Sequence, residues 1–206
     1  MNYGLVLAGG LATRLPNKPL LPMRNHEPVI ISSIDFLKRS DIKDISVVVP
    51  SNSMIPLILK SYCLELSYIE QHSPLGVPKA ISLFPHSLEA GDNLIIVYSD
   101  NIYPDDIIAD TSVCSGSYHS IITIDDPVKN HQLSKYSNGQ WLQESASPHC
   151  IAGYMSLSDS ALEIAHQFKE TTTFLNTISA DPIRLMTDKW WDIGTVATYR
   201  EYWETK

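Results

Sequence analysis

The sequence predicts an α/β domain with a mostly parallel sheet, helices on both faces and a small antiparallel insertion. Strand-like and helix-like segments alternate from the start of the chain to about residue 98, as in successive βαβ units. The strand-like segments are continuously apolar, which is typical of strands that are covered on both faces. Beyond about residue 115, short strand-like segments follow one another and indicate the antiparallel part. We treat residues 1–206 as a single domain, because no linker, repeat or low-complexity tract interrupts them.

The first half of the chain supplies four strands and three helices. Short apolar runs predict strands at residues 3–8, 45–49 and 94–98, and residues 64–70 read as a further strand between the last two. Helical spacing of isoleucine and leucine predicts a first helix near residues 30–39. A second helix, over residues 54–61, can hold Pro56 only in its first turn. Pro78 opens a third, short helix that ends near residue 84.

The second half supplies shorter elements. Strands are predicted at residues 120–124, 133–136, 140–143, 151–157 and 184–192. Between the second and third of these strands, Asn138-Gly139 is the signal of a type I′ hairpin turn. Ser160 and Glu163 form a capping-box pattern that predicts a helix reaching about residue 168. Residues 196–203 predict a closing helix, and residues 171–183 are left unassigned.

Composition and charge narrow the classes of function. An apolar fraction of 44% and a charged fraction of 18% are those of a folded globular protein. The net charge of −8 disfavours a broad nucleic-acid surface, because an acidic chain repels a polyanion. No apolar run approaches the ~20 residues that span a bilayer, and the first residues carry no leader pattern. Cys63, Cys114 and Cys150 have neither disulfide nor metal spacing, so we expect reduced thiols in a cytoplasmic protein. From the charge and the lack of a long apolar run we expect neither nucleic-acid nor membrane partners.

A glycine-rich loop with two cations follows the first predicted strand. Residues 7–22 read Leu-Ala-Gly-Gly-Leu-Ala-Thr-Arg-Leu-Pro-Asn-Lys-Pro-Leu-Leu-Pro. Gly9 and Gly10 let backbone N–H groups approach phosphate oxygens. Arg14 can hold two oxygens at once, whereas Lys18 acts as a mobile point charge. The loop lies where open α/β sheets bind ligands, and a plain glycine turn with two solvated cations is the alternative.

Two aspartates end predicted strands and are candidates for holding a metal ion. Asp100 follows the apolar run at residues 94–98, and Asp192 ends the last predicted strand. Both are expected at the rim of the sheet near the glycine-rich loop, and Mg²⁺ commonly takes one or two carboxylates together with phosphate oxygens. For either aspartate alone, a turn or helix-capping role is the alternative. The seven histidines show no metal-ligand spacing.

Five segments, in chain order, resemble the sugar-phosphate nucleotidyltransferases. Residues 7–22 are similar to the signature loop of that family. Gln71-His-Ser-Pro74-Leu-Gly76 resembles the base-recognition segment of the family, and Ile151-Ala-Gly153-Tyr154 resembles its sugar-binding strand. Ser99-Asp100-Asn101 and Trp191-Asp192-Ile-Gly194-Thr195 resemble its two metal-binding segments. The last segment is one residue shorter than the family pattern, Trp-x-Asp-Ile-Gly-Thr.

The resemblance implies a Rossmann-like domain of the nucleotide-diphospho-sugar transferase type. It implies transfer of a nucleoside monophosphate from a nucleoside triphosphate to a phosphorylated acceptor, a sugar 1-phosphate, with release of pyrophosphate and with Mg²⁺ as cofactor. The reaction would serve nucleotide-sugar biosynthesis, and a homodimer is left open. The implied roles are catalysis by Arg14 and Lys18, nucleotide binding by Leu7, Ala8, Gly9, Gly10, Gln71, Pro74 and Gly76, acceptor binding by Glu144, Ile151 and Gly153, and metal binding by Asp100 and Asp192.

Three departures from the family pattern keep two alternatives open. Ala12 stands where the family usually has glycine, and the short segment between Arg14 and Lys18 resembles the cytidylyltransferases that activate 3-deoxy-octulosonate. Ser145 stands where the family lysine would hold the sugar phosphate, and Lys129 and Lys135 are candidates to replace it. The first alternative is a cytidylyltransferase that acts on a non-sugar phosphorylated acceptor. The second is a nucleotide-binding regulatory relative with weak catalysis.

Overall fold

A mixed sheet runs through the middle of the protein. The structure, a computed structural model, describes residues 1–10, 14–73, 76–108, 120–125, 135–143, 149–185 and 190–205. Its strands are β1 (Asn2–Leu7), β2 (Asp44–Pro50), β3 (Ser67–Gln71), β4 (Asn93–Tyr98), β5 (Asn101–Ile102), β6 (Ser120–Asp125), β7 (Lys135–Ser137), β8 (Gln140–Leu142), β9 (His149–Leu157), β10 (Asp181–Leu185) and β11 (Trp191–Asp192). Its helices are α1 (Val29–Arg39), α2 (Ile55–Lys60), α3 (Val77–Ile81), α4 (Asp159–Ala165), α5 (Thr171–Thr177) and α6 (Val196–Glu204), with a 3₁₀ turn at Lys18–Leu20.

The strand order separates a parallel part of the sheet from a mixed part. The order is β10-β6-β9-β4-β1-β2-β3, with the β7–β8 hairpin attached to β9. β1 pairs in parallel with β2 and β4, and β2 pairs in parallel with β3. β9 runs antiparallel to both of its neighbours, β4 and β6. The predicted parallel sheet with an antiparallel insertion is therefore confirmed.

Helices cover both faces of the sheet. Neighbouring residues of one strand point to opposite faces, so Val6 of β1 belongs to a core with α1, α2 and α6, whereas Leu5 belongs to a core with α3, α4 and α5. The central strands are buried along nearly their whole length, as their continuous apolar runs predicted. Among the described residues, no helix has both the length and the apolar character that crossing a membrane requires.

The hairpin turn follows the sequence prediction. Asn138 has a φ of 51° and Gly139 a φ of 79°, as the two central residues of a type I′ turn require. Ser137 and Gln140 pair directly across the turn. The hairpin therefore forms where Asn-Gly predicted it.

Several predicted element boundaries are wrong. β3 begins at Ser67 and not at residue 64, α3 ends at Ile81 and not near residue 84, and α4 ends at Ala165 and not near residue 168. The final strand expected over residues 184–192 is two strands, because β10 pairs with β6 in the main sheet whereas β11 pairs with β5 in a separate ladder. The helix expected to begin at Ser160 begins one residue earlier, since Ser158 has the extended backbone of an N-cap residue. A reciprocal capping box is formed instead by Thr195 and Thr198 at the start of α6. The unassigned residues 171–183 contain α5 and the start of β10.

Candidate active site

A cleft of about 1030 Å³ lies beyond the carboxyl ends of β1, β2, β3 and β4. This is the edge at which parallel α/β sheets bind ligands. Most of the residues that the sequence assigned to a site line this cleft, and they are Leu7, Ala8, Gly9, Gly10, Arg14, Lys18, Gln71, Gly76, Asp100, Ile151 and Asp192. The loop after β2 adds Ser51, Asn52, Ser53 and Met54, which the sequence analysis did not select.

The two glycines of the loop have different surroundings. A Cβ built on Gly9 would overlap Gln71 Oε1 and would stand 3.3 Å from Val48 Cγ1. Gln71 is 7% exposed at the end of β3, and its side chain would have to shift to admit a Cβ at position 9. A Cβ on Gly10 would meet nothing within 4 Å among the described atoms. Packing against Gln71 therefore requires a glycine at position 9, whereas Gly10 faces open space in which a ligand can approach the backbone.

Gly76 fixes the turn that leads from β3 into α3. Its φ is +92°, a conformation that L residues rarely adopt, and a Cβ there would overlap the carbonyl oxygen of Lys169. The residue is the N-cap of α3. Close packing against the connection between α4 and α5 therefore accounts for this glycine. Pro74, the neighbouring predicted residue, lies outside the described residues.

A short antiparallel ladder brings the two aspartates to one side of the cleft. β5 pairs with β11, so Asp192 lies opposite Asn101, the residue that follows Asp100. The Ile193 N–H group donates to the Asp100 carbonyl oxygen at 2.8 Å and extends this contact. Both side chains line the cleft. The structure thus places together two carboxylates that the sequence assigned to one metal site, and the metal role itself stays a prediction.

The carboxylates of Asp100 and Asp192 both affect the pKa of the Tyr98 hydroxyl. Tyr98 ends β4 and lines the cleft. Burial raises the pKa of the Tyr98 hydroxyl above its ordinary value, and the negative charges of Asp100 and Asp192 raise that pKa further. The same two charges add to the burial that raises the pKa of Tyr103. This side of the cleft therefore carries a concentrated negative field, which favours a cation.

Lys18 pairs with Asp100 across the cleft. Its ammonium group contacts Asp100 Oδ2, and Asp100 Oδ1 accepts a hydrogen bond from Asn101 Nδ2 at 3.0 Å. Asp100 is only 7% exposed. Lys18 begins the 3₁₀ turn after Asn17, whose left-handed backbone (φ 53°) redirects the chain. A positive charge therefore already stands at the buried carboxylate, and both oxygens of that carboxylate have partners.

The acceptor residues predicted from the sequence are only partly described. Ile151 is buried and lines the cleft. Gly153 has a φ of +62° and lies against Asn101, since a Cβ there would stand 2.7 Å from Asn101 Oδ1. Its carbonyl oxygen accepts a hydrogen bond from the Tyr103 hydroxyl at 2.7 Å. Gly153 thus supports the strand behind Asp100. Glu144, Ser145 and Lys129, together with the side chain of Lys135, lie outside the described residues.

A comparison with known families identifies the class of protein. The sequence pattern of the family described as "Nucleotidyl transferase" matches residues 3–111, which are more than half of the 206 residues. The chain belongs to the nucleotidyl transferase family. The matched region holds the glycine-rich loop, Gln71, Gly76 and Asp100, so it includes much of the lining of the cleft.

Individual nucleotidyl transferases agree with this assignment. A glucose-1-phosphate thymidylyltransferase of Streptomyces antibioticus is 30% identical in an alignment of 107 positions that covers 47% of this chain and 30% of that protein. The match therefore spans less than a third of the relative's length. Over 98% of this chain and 94% of the other, the fold is that of a Bacillus anthracis protein assigned as a glucose-1-phosphate thymidylyltransferase, with a TM-score of 0.79 at 19% identity.

A second solved structure has an acceptor of another kind in its name. The CTP:phosphocholine cytidylyltransferase of Streptococcus pneumoniae shares the fold with a TM-score of 0.72 at 16% identity, over 97% of this chain and 96% of the other. At these identities the two structural matches establish the fold alone. The fold predicted from the sequence, a nucleotide-diphospho-sugar transferase type of α/β domain, is therefore confirmed.

Proposed function

We propose that the protein transfers a nucleoside monophosphate from a nucleoside triphosphate to a sugar 1-phosphate. The observation that carries this proposal is one cleft that gathers an open glycine backbone, two cationic side chains and two carboxylates at the strand ends of the sheet. A triphosphate needs both cations and backbone donors, and the metal that accompanies it needs oxygen ligands. Membership of the nucleotidyl transferase family supports the same reaction class.

The nucleotide would lie across the ends of β1, β2 and β3. Gly10 leaves space for phosphate oxygens to approach the backbone, and Arg14 faces the same cleft with a guanidinium that can hold two oxygens. Gln71 holds its amide against Gly9 near the start of the glycine-rich loop, where the base would be read. Since β2 lies between β1 and β3 in the sheet, the loop at residues 51–54 would lie beneath this nucleotide.

Asp100 and Asp192 fit a Mg²⁺ ion. Within the described part of the chain no group of three or more histidine, cysteine or acidic side chains forms a metal cluster, so the ion would rest on these two carboxylates and on phosphate oxygens. Their shared effect on the pKa of Tyr98 and the ammonium held at Asp100 both support a site that favours positive charge. When bound, the ion would supply neutralisation of phosphate charge.

Lys18 would exchange partners during binding. The ammonium that now contacts Asp100 Oδ2 occupies a carboxylate oxygen that a divalent ion would use. We expect Lys18 to leave this oxygen for the α-phosphate of the nucleotide, because the phosphate offers a comparable charge within reach of the same cleft. In this exchange Lys18 keeps a partner in both states, so its charge is never left buried and unpaired.

The exchange predicts an effect on metal binding that needs no turnover. The Lys18→Met variant should bind Mn²⁺ about three- to tenfold more tightly than the wild type without nucleotide, because the competing ammonium is gone. Electron paramagnetic resonance of free Mn²⁺ measures this affinity. Lys18→Arg, which keeps the charge, is the matched control and should stay near the wild type. An unchanged Mn²⁺ affinity in Lys18→Met would show that the metal ion does not bind at the Asp100 carboxylate.

The proposed reaction is an in-line displacement at the α-phosphorus. A phosphate oxygen of the acceptor attacks, a new phosphoanhydride bond forms, and the bond to the bridging oxygen breaks so that pyrophosphate leaves with its electron pair. Arg14 would stabilise the charge that develops on pyrophosphate, and Lys18 the charge at the α-phosphate. The rate would come from orientation and charge stabilisation, and no covalent link to the protein is required.

A different acceptor is the second candidate function. Ser145 replaces the lysine that the family pattern places at the sugar phosphate, and the segment between Arg14 and Lys18 is short. These features favour cytidylyl transfer to a phosphorylated acceptor that is not a sugar, such as a phospho-alcohol. A nucleotide-binding regulator with weak catalysis is the third candidate, because the same missing lysine would slow acceptor use.

One screen separates these three candidates. Pyrophosphate release is measured with CTP, UTP, dTTP and ATP against glucose 1-phosphate, other sugar 1-phosphates and phosphocholine, with Asp192→Asn as the inactive control. Turnover with a sugar 1-phosphate is the expected result. Turnover confined to phosphocholine or another phospho-alcohol with CTP selects the second candidate. Nucleotide binding without turnover on the whole panel selects the regulator.

A further inference from the structure

Arg24 fastens the last helix to the loop that follows Lys18. Its guanidinium Nη2 donates to the carbonyl oxygens of Tyr202 and Thr205 at the end of α6. Its Cζ lies 4.4 Å from the centre of the Tyr202 ring. Its backbone N–H donates to the Tyr202 hydroxyl at 3.1 Å. One exposed arginine thus makes four contacts with a helix that lies about 180 residues further along the chain.

Other contacts join the same two segments. The Tyr199 hydroxyl donates to the carbonyl oxygen of Pro22 at 2.8 Å. The ring of Trp191 packs edge-on against Tyr202, with 5.7 Å between the ring centres. Helix α6 is therefore capped by Thr195 and Thr198 at its start, whereas Trp191 and Arg24 both contact Tyr202 near its end.

The two segments that Arg24 joins each carry a residue of the cleft. Lys18 lies six residues before Arg24, and Asp192 lies three residues before Thr195, the N-cap of α6. The Ile193 N–H group donates to the Asp100 carbonyl oxygen, and Lys18 pairs with the Asp100 side chain. Lys18, Asp100, Ile193, α6 and Arg24 therefore form a closed ring of covalent and non-covalent links.

We propose that Arg24 is a positioning residue that sets where Lys18 stands relative to Asp192. In the proposed reaction, on which this inference rests, those two side chains act on the same nucleotide. A ring that is closed at Arg24 restricts their separation before the nucleotide arrives, and preorganisation of this kind lowers the cost of binding. Because Arg24 is exposed, its contacts contribute little to folding stability. Its effect should therefore appear in binding and turnover.

Calorimetry and thermal unfolding test this role without an acceptor, and steady-state kinetics with the acceptor test it during turnover. The probe is the triphosphate, among CTP, UTP, dTTP and ATP, that the wild type binds most tightly with Mg²⁺. For Arg24→Met we expect a Kd that is about five- to tenfold weaker and a kcat lowered by a similar factor, with little change in the acceptor KM. Arg24→Lys keeps one donor but loses the planar fork, and it should recover part of the loss.

A matched control separates positioning from a general effect of charge. Arg200 is an exposed arginine on the same helix, and Arg200→Met should bind and turn over as the wild type does. Since Arg24 is argued to act through Lys18, adding Arg24→Met to Lys18→Met should weaken nucleotide binding by less than the product of the two single effects. Tyr199→Phe, which removes only the bond to Pro22, should show a smaller loss of the same kind.

The opposite results are equally definite. A lower Tm in Arg24→Met, with the nucleotide Kd and kcat unchanged at a temperature where the variant is folded, would make Arg24 a structural residue only. Equal losses in Arg24→Met and Arg200→Met would also overturn the inference. If the wild type binds none of the four triphosphates, the proposed function itself fails. That result is obtained before any variant is compared.

Discussion

The proposed nucleotide side of the cleft, at Gly9, Gly10 and Gly76, and its proposed acceptor side, at Ile151 and Gly153, are held in place by different kinds of contact. On the nucleotide side, Gly9 and Gly76 lie so close to Gln71 and to the Lys169 carbonyl that neither has room for a Cβ. On the acceptor side, Gly153 approaches Asn101 less closely, and a hydrogen bond from Tyr103 fixes its carbonyl group. Close steric contact shapes the first side, whereas strand pairing and a hydrogen bond also shape the second.

The residues of the first side were easier to predict from the sequence than those of the second. Gly9, Arg14 and Lys18 fall within ten residues of one another, so a short motif contains both the residues and their spacing. Asp192 reaches the cleft only because β11 pairs with β5, and Gly153 reaches Asn101 only because β9 lies beside β4. The variants below test whether the two sides are as separate in function as they are in construction.

The largest effect should come from the residues at which the two sides meet. Asp100→Asn and Asp192→Asn should each lower kcat at least about 10³-fold, because loss of one carboxylate weakens both metal binding and charge stabilisation. Pyrophosphate release at limiting Mg²⁺ measures the loss, and thermal unfolding shows that the fold persists. Near-normal turnover in Asp192→Asn alone would mean that the acceptor side contributes no metal ligand.

Arg14→Lys tests the nucleotide side by itself. The change keeps the charge but removes the planar, two-pronged donor, so we expect kcat to fall about 10²-fold, as when one preorganised donor is lost. The acceptor KM should hardly change. Steady-state kinetics with each substrate varied in turn provide the comparison. A variant with most of its activity intact would show that Arg14 does not hold the leaving pyrophosphate.

Three glycine variants compare the two sides directly. Gly9→Ala should displace Gln71 and weaken nucleotide binding about tenfold, whereas Gly10→Ala should leave the Tm unchanged, because a Cβ there meets no described atom. Gly153→Ala should instead act on the acceptor KM and on the Tm. Alanine would be strained at this positive φ, and its Cβ would crowd Asn101. Separate titrations of nucleotide and acceptor measure these effects.

The Gln71→Ala background is the control for this comparison. If the clash with Gln71 causes the effect of Gly9→Ala, then adding Gly9→Ala to Gln71→Ala should cost little further nucleotide affinity. Full additivity of the two changes would contradict the steric explanation. A Gly153→Ala variant that altered only nucleotide affinity would contradict the division into two sides.

The smallest effect should come from Asp35, on the helix behind the nucleotide side. Burial raises the pKa of this carboxyl above its ordinary value of 3.8, and the charge of Glu27 raises it further, although Arg39 and Lys38 oppose the shift. Because the pKa is higher in the folded chain than in the unfolded chain, the ionised group costs stability at neutral pH. This cost disappears as the pH falls through the folded pKa towards 3.8.

Asp35→Asn should therefore unfold about 1–2 °C above the wild type at pH 7. The difference should shrink as the pH approaches 3.8. Thermal unfolding across this pH range measures it, with the exposed Asp41→Asn as the control for loss of one charge. A gain in Tm that did not depend on pH would trace the effect to packing. Turnover should not change, because Asp35 lies outside the cleft.

The parallel half of the fold was predictable because each strand carries its own signal. Residues 94–98 are apolar throughout and residues 45–49 are apolar except for Ser46, and burial on both faces favours such runs. The hairpin was predictable from two residues, Asn138 and Gly139, since few dipeptides adopt their positive φ values readily. The residues within each of these elements determine its structure, so these elements could be predicted from the sequence.

Structure could not be predicted from the sequence where it depends on contacts with a distant segment of the chain. Nothing local distinguishes Trp191-Asp192 from the end of β10, because the separation depends on pairing with Asn101-Ile102. The loop at residues 51–54 borders the cleft because β2 lies between β1 and β3, and strand order does not follow from one sequence. Arg24 carries no motif, and its contacts with α6 arise only in the folded chain.

The ladder between β5 and β11 has a consequence for the order of folding. It joins Ile102 to Trp191, positions that lie 191 − 102 = 89 residues apart. Closing a flexible loop of that length costs about 4 kcal/mol of chain entropy, which two paired residues do not repay. The ladder therefore closes after the main sheet has already brought its ends together, and a chain can bury its apolar core before Asp192 meets Asp100. A nucleotide that binds only the closed form would pull this last step to completion, so the substrate would help to finish the site that uses it.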